Sequence, residues 1–113
     1  MNRNKNLPLS EINFYILLAL AEPAHGYRIM QQVEELSDGQ VRIAAGTLYG
    51  AIENLLKLRL IQPLESPDPR RKVYGLTETG QQTLRMDVER MKHMVAQAGV
   101  YFQDSGELKH VSD

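Results

Sequence analysis

Arg70, Arg71 and Lys72 form the only run of three positive charges in the chain. A compact cationic run of this kind suits phosphate oxygens. A second group of residues shares one face of a helical projection: Gly46, Thr47, Gly50, Asn54 and Lys57, opposite the aliphatic Leu48, Ile52, Leu55 and Leu56. A helix built this way can bury one side and bring small residues close to base edges in a major groove. Thr47 and Asn54 could exchange hydrogen bonds there, Lys57 could reach a phosphate, and Tyr49 on the flank could aim its hydroxyl at another. Glu53 shares the face, where it would repel phosphates yet could accept from a cytosine amino group.

Both groups also have plainer readings, since any solvated helix face is polar and a basic hairpin tip is often only a soluble turn. The charge distribution favours phosphate contact. Between Gln40 and Leu76 six basic residues stand against three acidic ones, on a chain whose net charge is −1. Positive charge is thus concentrated in one stretch of an otherwise acidic chain.

Catalytic constellations are missing. The chain has no cysteine, which excludes disulfides, zinc-thiolate sites and thiol nucleophiles. His25, His93 and His110 stand apart, without the close spacing that binds a metal. His25 precedes a helix and could touch phosphate, His93 reads as an exposed helix position, and His110 belongs to a polar tail. Glycine-rich phosphate loops and nucleophile elbows are also lacking. The expectation is a non-enzyme without cofactor or metal.

The elements that must position these residues follow from local chemistry. Ser10 caps a first helix that Pro23 ends; its stretch Ile12 to Ala21 is apolar on nearly every face, which suits a central position or a subunit contact. His25-Gly26-Tyr27 opens a second helix, with Ile29, Val33 and Leu36 on one stripe, and Ser37-Asp38-Gly39 closes it. Val41-Arg42-Ile43 reads as a short strand, and a third helix follows from Gly46. Leu60–Glu65 and Lys72–Leu76 read as two strands joined by a Pro- and Arg-containing loop, with Pro63 marking the first as an edge. Thr77 caps a last helix in which Leu84, Val88, Met91, Val95, Ala98 and Phe102 are spaced alternately four and three apart, a heptad seam. From Thr77 to Phe102 such a helix would span about 39 Å, longer than a small domain can cover. Met86, Met91 and Met94 make its surface adaptable. Pairing between two copies is the expected use, although the stripe could also serve as its own domain's core.

At 113 residues, 42% hydrophobic and 24% charged, the chain reads as one globular domain. Its longest apolar run, Phe14 to Ala21, is too short to span a bilayer, and residues 1–6 are too polar for a signal peptide. A cytoplasmic location away from membranes is expected. The fold class expected is mainly α with a small β-ribbon: a winged helix-turn-helix over residues 1–76, a long dimerisation helix over 77–103 and a flexible tail over 104–113.

Four motifs in order and spacing then carry a resemblance: Phe14 to Ala21, His25-Gly26-Tyr27, Gly46-Thr47-Leu48-Tyr49, and Tyr74-Gly75-Leu76-Thr77-Glu78-Thr79-Gly80. From about Leu9 to Leu84 the chain resembles the PadR family of bacterial transcriptional regulators, in its compact subgroup with one short C-terminal helix. The resemblance implies a homodimeric repressor that binds double-stranded DNA at an inverted repeat. It implies that Gly46, Thr47 and Tyr49 enter the major groove and that Arg70, Arg71 and Lys72 form the wing tip. Members commonly control phenolic-acid detoxification or multidrug efflux, and some bind flat aromatic effectors, which makes a small aromatic effector a further expected partner. The chain departs from the family's pattern in three ways. Ala44-Ala45 replaces the Ser-Pro common before the third helix, Arg59 stands where glycine is usual, and no tryptophan is present to stack on a planar ligand. A winged helix that docks on another protein is the alternative, favoured by Glu53 and the overall negative charge.

Overall fold

The computed structural model describes residues 4–105, without the side chains of 104 and 105. The first helix, α1 (Glu11–Ala19), starts where Ser10 accepts a hydrogen bond from the Asn13 amide at 3.0 Å. Ile16, Leu17 and Leu20 are buried, while Phe14, Tyr15 and Leu18 are half-buried. α1 is therefore one side of the core rather than its centre. A two-residue strand, β1 (Ala24–His25), leads into α2 (Gly26–Leu36), whose first turn is capped by His25. Ile29 and Val33 of α2 face the core, and Asp38 and Gly39 end the helix with positive φ angles of 53° and 77°.

The strand expected at Val41-Arg42-Ile43 does not form. Val41 and Ile43 are buried and Arg42 is exposed, the alternation of a strand, but residues 41–44 pair with no neighbour. The Ser37 hydroxyl accepts from the Val41 amide at 2.9 Å instead, so the backbone is satisfied without a ladder. The short strand of the sheet is β1, on the other side of α2.

The third helix, α3 (Ala45–Lys57), buries Leu48, Ile52 and Leu55. Ala44 stands at its N-cap without a side-chain hydrogen bond, as the departure from Ser-Pro implies. After α3, Arg59 adopts φ 60°, the left-handed conformation for which the glycine it replaces is suited. Strands β2 (Ile61–Leu64) and β3 (Val73–Leu76) then pair antiparallel, with Ile61 opposite Leu76 and Pro63 opposite Tyr74. The sheet order is β1-β3-β2, so the expected ribbon is a three-stranded sheet and Pro63 does lie on an edge strand.

The last helix, α4 (Glu78–Ser105), has 28 residues. Its start is locked by Thr77, whose hydroxyl donates to the Arg59 carbonyl at 2.7 Å and accepts from the Gly80 amide at 2.9 Å. Gly80 lies against the backbone of Leu60, where an added Cβ would stand 1.9 Å from the carbonyl oxygen. Leu84 packs on the core, and Asp87 is buried with its carboxylate 2.7 Å from the Arg90 guanidinium. Beyond Met91 almost every side chain is exposed, Val95 by 70% and Tyr101 by 66%. The molecule is accordingly elongated, 57 × 36 × 21 Å, because α4 outruns the domain it leaves. Among the described residues no helix is long and apolar enough to cross a membrane.

Candidate nucleic-acid interface

On α3 the aliphatic anchors face inward, and Gly46, Thr47, Gly50, Glu53, Asn54 and Lys57 are all exposed. Neither Gly46 nor Gly50 has any atom near the place a Cβ would take, so that face is open for close approach. Tyr49 takes a different course: its ring turns back toward the start of α2, and its hydroxyl lies against Gly26.

The wing tip is a small built turn. Ser66 accepts from the Asp68 amide at 3.2 Å, and the Asp68 carboxylate accepts from the Arg70 amide at 3.0 Å and its guanidinium at 3.3 Å. The backbone hydrogen bond from Arg70, then that from its side chain, holds the Asp68 carboxyl below the ordinary carboxylate range. A carboxyl lowered on folding favours the folded turn above its unfolded value, and that contribution is lost as pH falls through the lowered one. Asp68 thus partly neutralises Arg70. Among the described residues Arg71 and Lys72 have no carboxylate within ion-pair distance, although Asp68 is near enough to feel Arg71.

These cations do not stand alone at a distant tip. β1 pairs with β3, placing His25 opposite Val73, and this draws the root of the wing against the start of α2. A hollow of about 360 Å³ opens between them, lined by Arg70, Arg71 and Lys72 on the wing side and by Tyr49 of α3. His25, Gly26, Tyr27 and Tyr74 complete its wall. Burial, and secondarily the neighbouring Tyr49, pushes the Tyr74 phenol above its usual value, so it remains a proton donor at neutral pH.

The structure therefore brings together Tyr49, Arg70, Arg71 and Lys72 of the expected interface, while Gly46, Thr47, Gly50, Asn54 and Lys57 lie outside this hollow, on the exposed side of α3. Tyr27 and Tyr74 were visible in the sequence only as motif residues, because the contact that gathers them depends on the two-residue β1. A second hollow of about 560 Å³ lies between the end of α1, the sheet and α4, with Leu84 and Val88 of the heptad seam on its wall. The later seam residues Val95 and Ala98 are exposed.

Comparison with known proteins places this arrangement. The profile of the transcriptional regulator PadR-like family matches residues 16–86. An uncharacterized 37.1 kDa transposon protein of Streptomyces fradiae is 33% identical over 86 residues, 75% of this chain and 24% of that protein. The chain thus spans about a quarter of the length of the curated relative it matches. Among solved structures, a PadR family transcription regulator from Clostridium difficile superposes with a TM-score of 0.70 at 23% identity, covering 82% of this chain and 99% of that one. A winged-helix DNA-binding protein from STIV superposes with a TM-score of 0.62 at 22% identity, covering 82% and 96%. Likeness at these identities speaks for the fold: a winged helix with a long C-terminal helix.

Proposed function

The chain belongs to the PadR-like family of transcriptional regulators, and from that premise we propose that it is a homodimeric repressor binding an inverted-repeat operator in double-stranded DNA, at work in the cytoplasm. The observation that carries this reading is the union of α3 with the wing. Tyr49 borders the same hollow as Arg71 and Lys72, two exposed cations with no carboxylate within ion-pair distance among the described residues. A recognition helix and a set of exposed cations on adjoining surfaces can grip base edges and backbone together.

In this reading Gly46 and Gly50 let α3 approach the bases, and Thr47 and Asn54 contact their edges. Tyr49, Lys57, Arg70, Arg71 and Lys72 hold phosphates. Leu84, Val88, Met91, Val95, Ala98 and Phe102 form the seam between two copies, with Leu84 also seated on its own core. A two-fold pair would present two recognition helices to half-sites about one helical turn apart.

Fluorescence anisotropy with duplexes from the chain's own promoter region tests the proposal. The binding constant should fall steeply with salt, since each neutralised phosphate releases counterions. Arg70→Ala should weaken binding to all sequences alike, whereas Asn54→Ala should relax discrimination by about 1–3 kcal/mol at one position. Salt-independent binding, or no preference for any promoter sequence, would overturn it.

A further inference from the structure

Resting on the DNA-binding reading, we propose that His25 is a ligand of the DNA backbone: its Nε2–H and the Arg71 guanidinium together hold one non-bridging oxygen of a phosphodiester. The argument begins with proton placement. A neutral imidazole offers one donor and one acceptor. Nδ1 of His25 accepts from the Arg28 amide at 3.3 Å, the hydrogen bond that caps α2. The tautomer that this capping bond selects carries its proton on Nε2. Facing Nε2 at 3.2 Å is the Nη1 of Arg71, and a guanidinium has only donors.

In that tautomer two N–H groups converge on one small space, with no carboxylate between them among the described residues. An anionic oxygen would satisfy both donors at once, and charge-assisted hydrogen bonds of this kind are the strong ones. The space opens into the hollow of about 360 Å³ whose wall also carries Lys72 and the Tyr49 hydroxyl. Its lining joins three cations and a histidine to the rings of Tyr27, Tyr49 and Tyr74, and the charged groups favour an anion.

His25 is also unusually well placed. It is held by the β1–β3 pairing opposite Val73 and by its own capping bond, so its ring is positioned before any ligand arrives. Arg71, by contrast, is exposed on the wing. The pair would tie one phosphate to α2 and to the wing together, setting the register in which α3 meets the bases.

A double-mutant cycle on the full chain tests the pair, read by anisotropy with a random-sequence duplex over a range of salt. His25→Asn retains a capping oxygen for the Arg28 amide but is too short to reach the phosphate. His25→Asn and Arg71→Ala should each weaken binding about five- to tenfold, and the double variant by little more than either alone. Arg71→Ala should also reduce the salt slope by about 0.9, the loss of one phosphate contact. A nitrogen-15 NMR spectrum of the wild-type histidines supplies a second measurement, independent of any substitution: the Nε2 proton of His25 should become protected from exchange when duplex is added. Losses that multiply, or a His25→Asn variant with unchanged affinity and an Nε2 proton that DNA leaves unprotected, would overturn the pairing while leaving the regulator reading in place. A wild-type chain with no salt-dependent affinity for DNA would instead remove that reading, and this inference with it.

Discussion

At Gly26 an added Cβ would stand 2.5 Å from the Tyr49 hydroxyl and 3.0 Å from the ring carbon that bears it. The obstacle is the tip of a half-exposed side chain rather than backbone, so the fold can give way by letting Tyr49 swing out. Gly26→Ala should therefore leave the thermal unfolding midpoint nearly unchanged, because alanine also favours the helix slightly. If Tyr49 holds a phosphate as proposed, affinity for DNA should fall several-fold, through misplacement of its hydroxyl. Calorimetry and anisotropy on the same preparation separate the two effects. The identity of residue 26 would then bear on the proposed interface more than on stability, which is not apparent from the sequence, where a glycine before an apolar stripe reads simply as a helix start.

Gly80 behaves in the opposite way at the scale of elements. There the obstacle is the Leu60 carbonyl, 1.9 Å from an added Cβ, and the backbone after α3 cannot yield without breaking the Thr77 lock on Arg59. Gly80→Ala should cost several kcal/mol, in the range of severe single-site effects, and should show as a large drop in denaturation midpoint. Elements whose ends are set by local chemistry were legible in advance: Ser10, Asp38-Gly39 and Thr77 act through hydrogen bonds or turns within a few residues of themselves. Pro63 placed its strand on an edge for an equally local reason, the missing amide. The strand β1 was not legible, since Ala24 and His25 are too few to show a period and become a strand only through Tyr74 and Val73. Val41 to Ile43 misled in the converse sense. Its alternation is real, but a serine hydroxyl, not a neighbouring strand, takes the Val41 amide. The hollow at the wing escaped for the same reason as β1, because His25 and Arg71 meet only across a long stretch of chain.

For the whole molecule, the most exposed stretch of α4 is residues 92–98, beyond the part that packs on the core. Val95, 70% exposed, belongs to a heptad register that continues from Leu84, which is seated on the core. If two copies pair along that register, Val95→Glu places like charges in their seam. The variant should sediment as a monomer of one 12.8 kDa chain and lose most of its affinity for a two-half-site duplex. Its own fold should be disturbed by less than about 0.5 kcal/mol, as for other surface substitutions. Sedimentation equilibrium beside circular dichroism distinguishes these outcomes. A chain that stays paired would move the seam elsewhere, with the face of α1 around Phe14 and Leu18 as the next place to look.

Gly80 seats the start of α4 directly against the backbone of Leu60. A helix of 28 residues is a rod of about 42 Å, clamped at one end by that contact. Tilting such a rod by roughly 5° swings its free end by about 4 Å, close to the rise of a single base pair along a duplex. If two copies pair along α4 as proposed, the half-site spacing they straddle would be calibrated at the clamp, and altering the angle there would retune that spacing without touching α3.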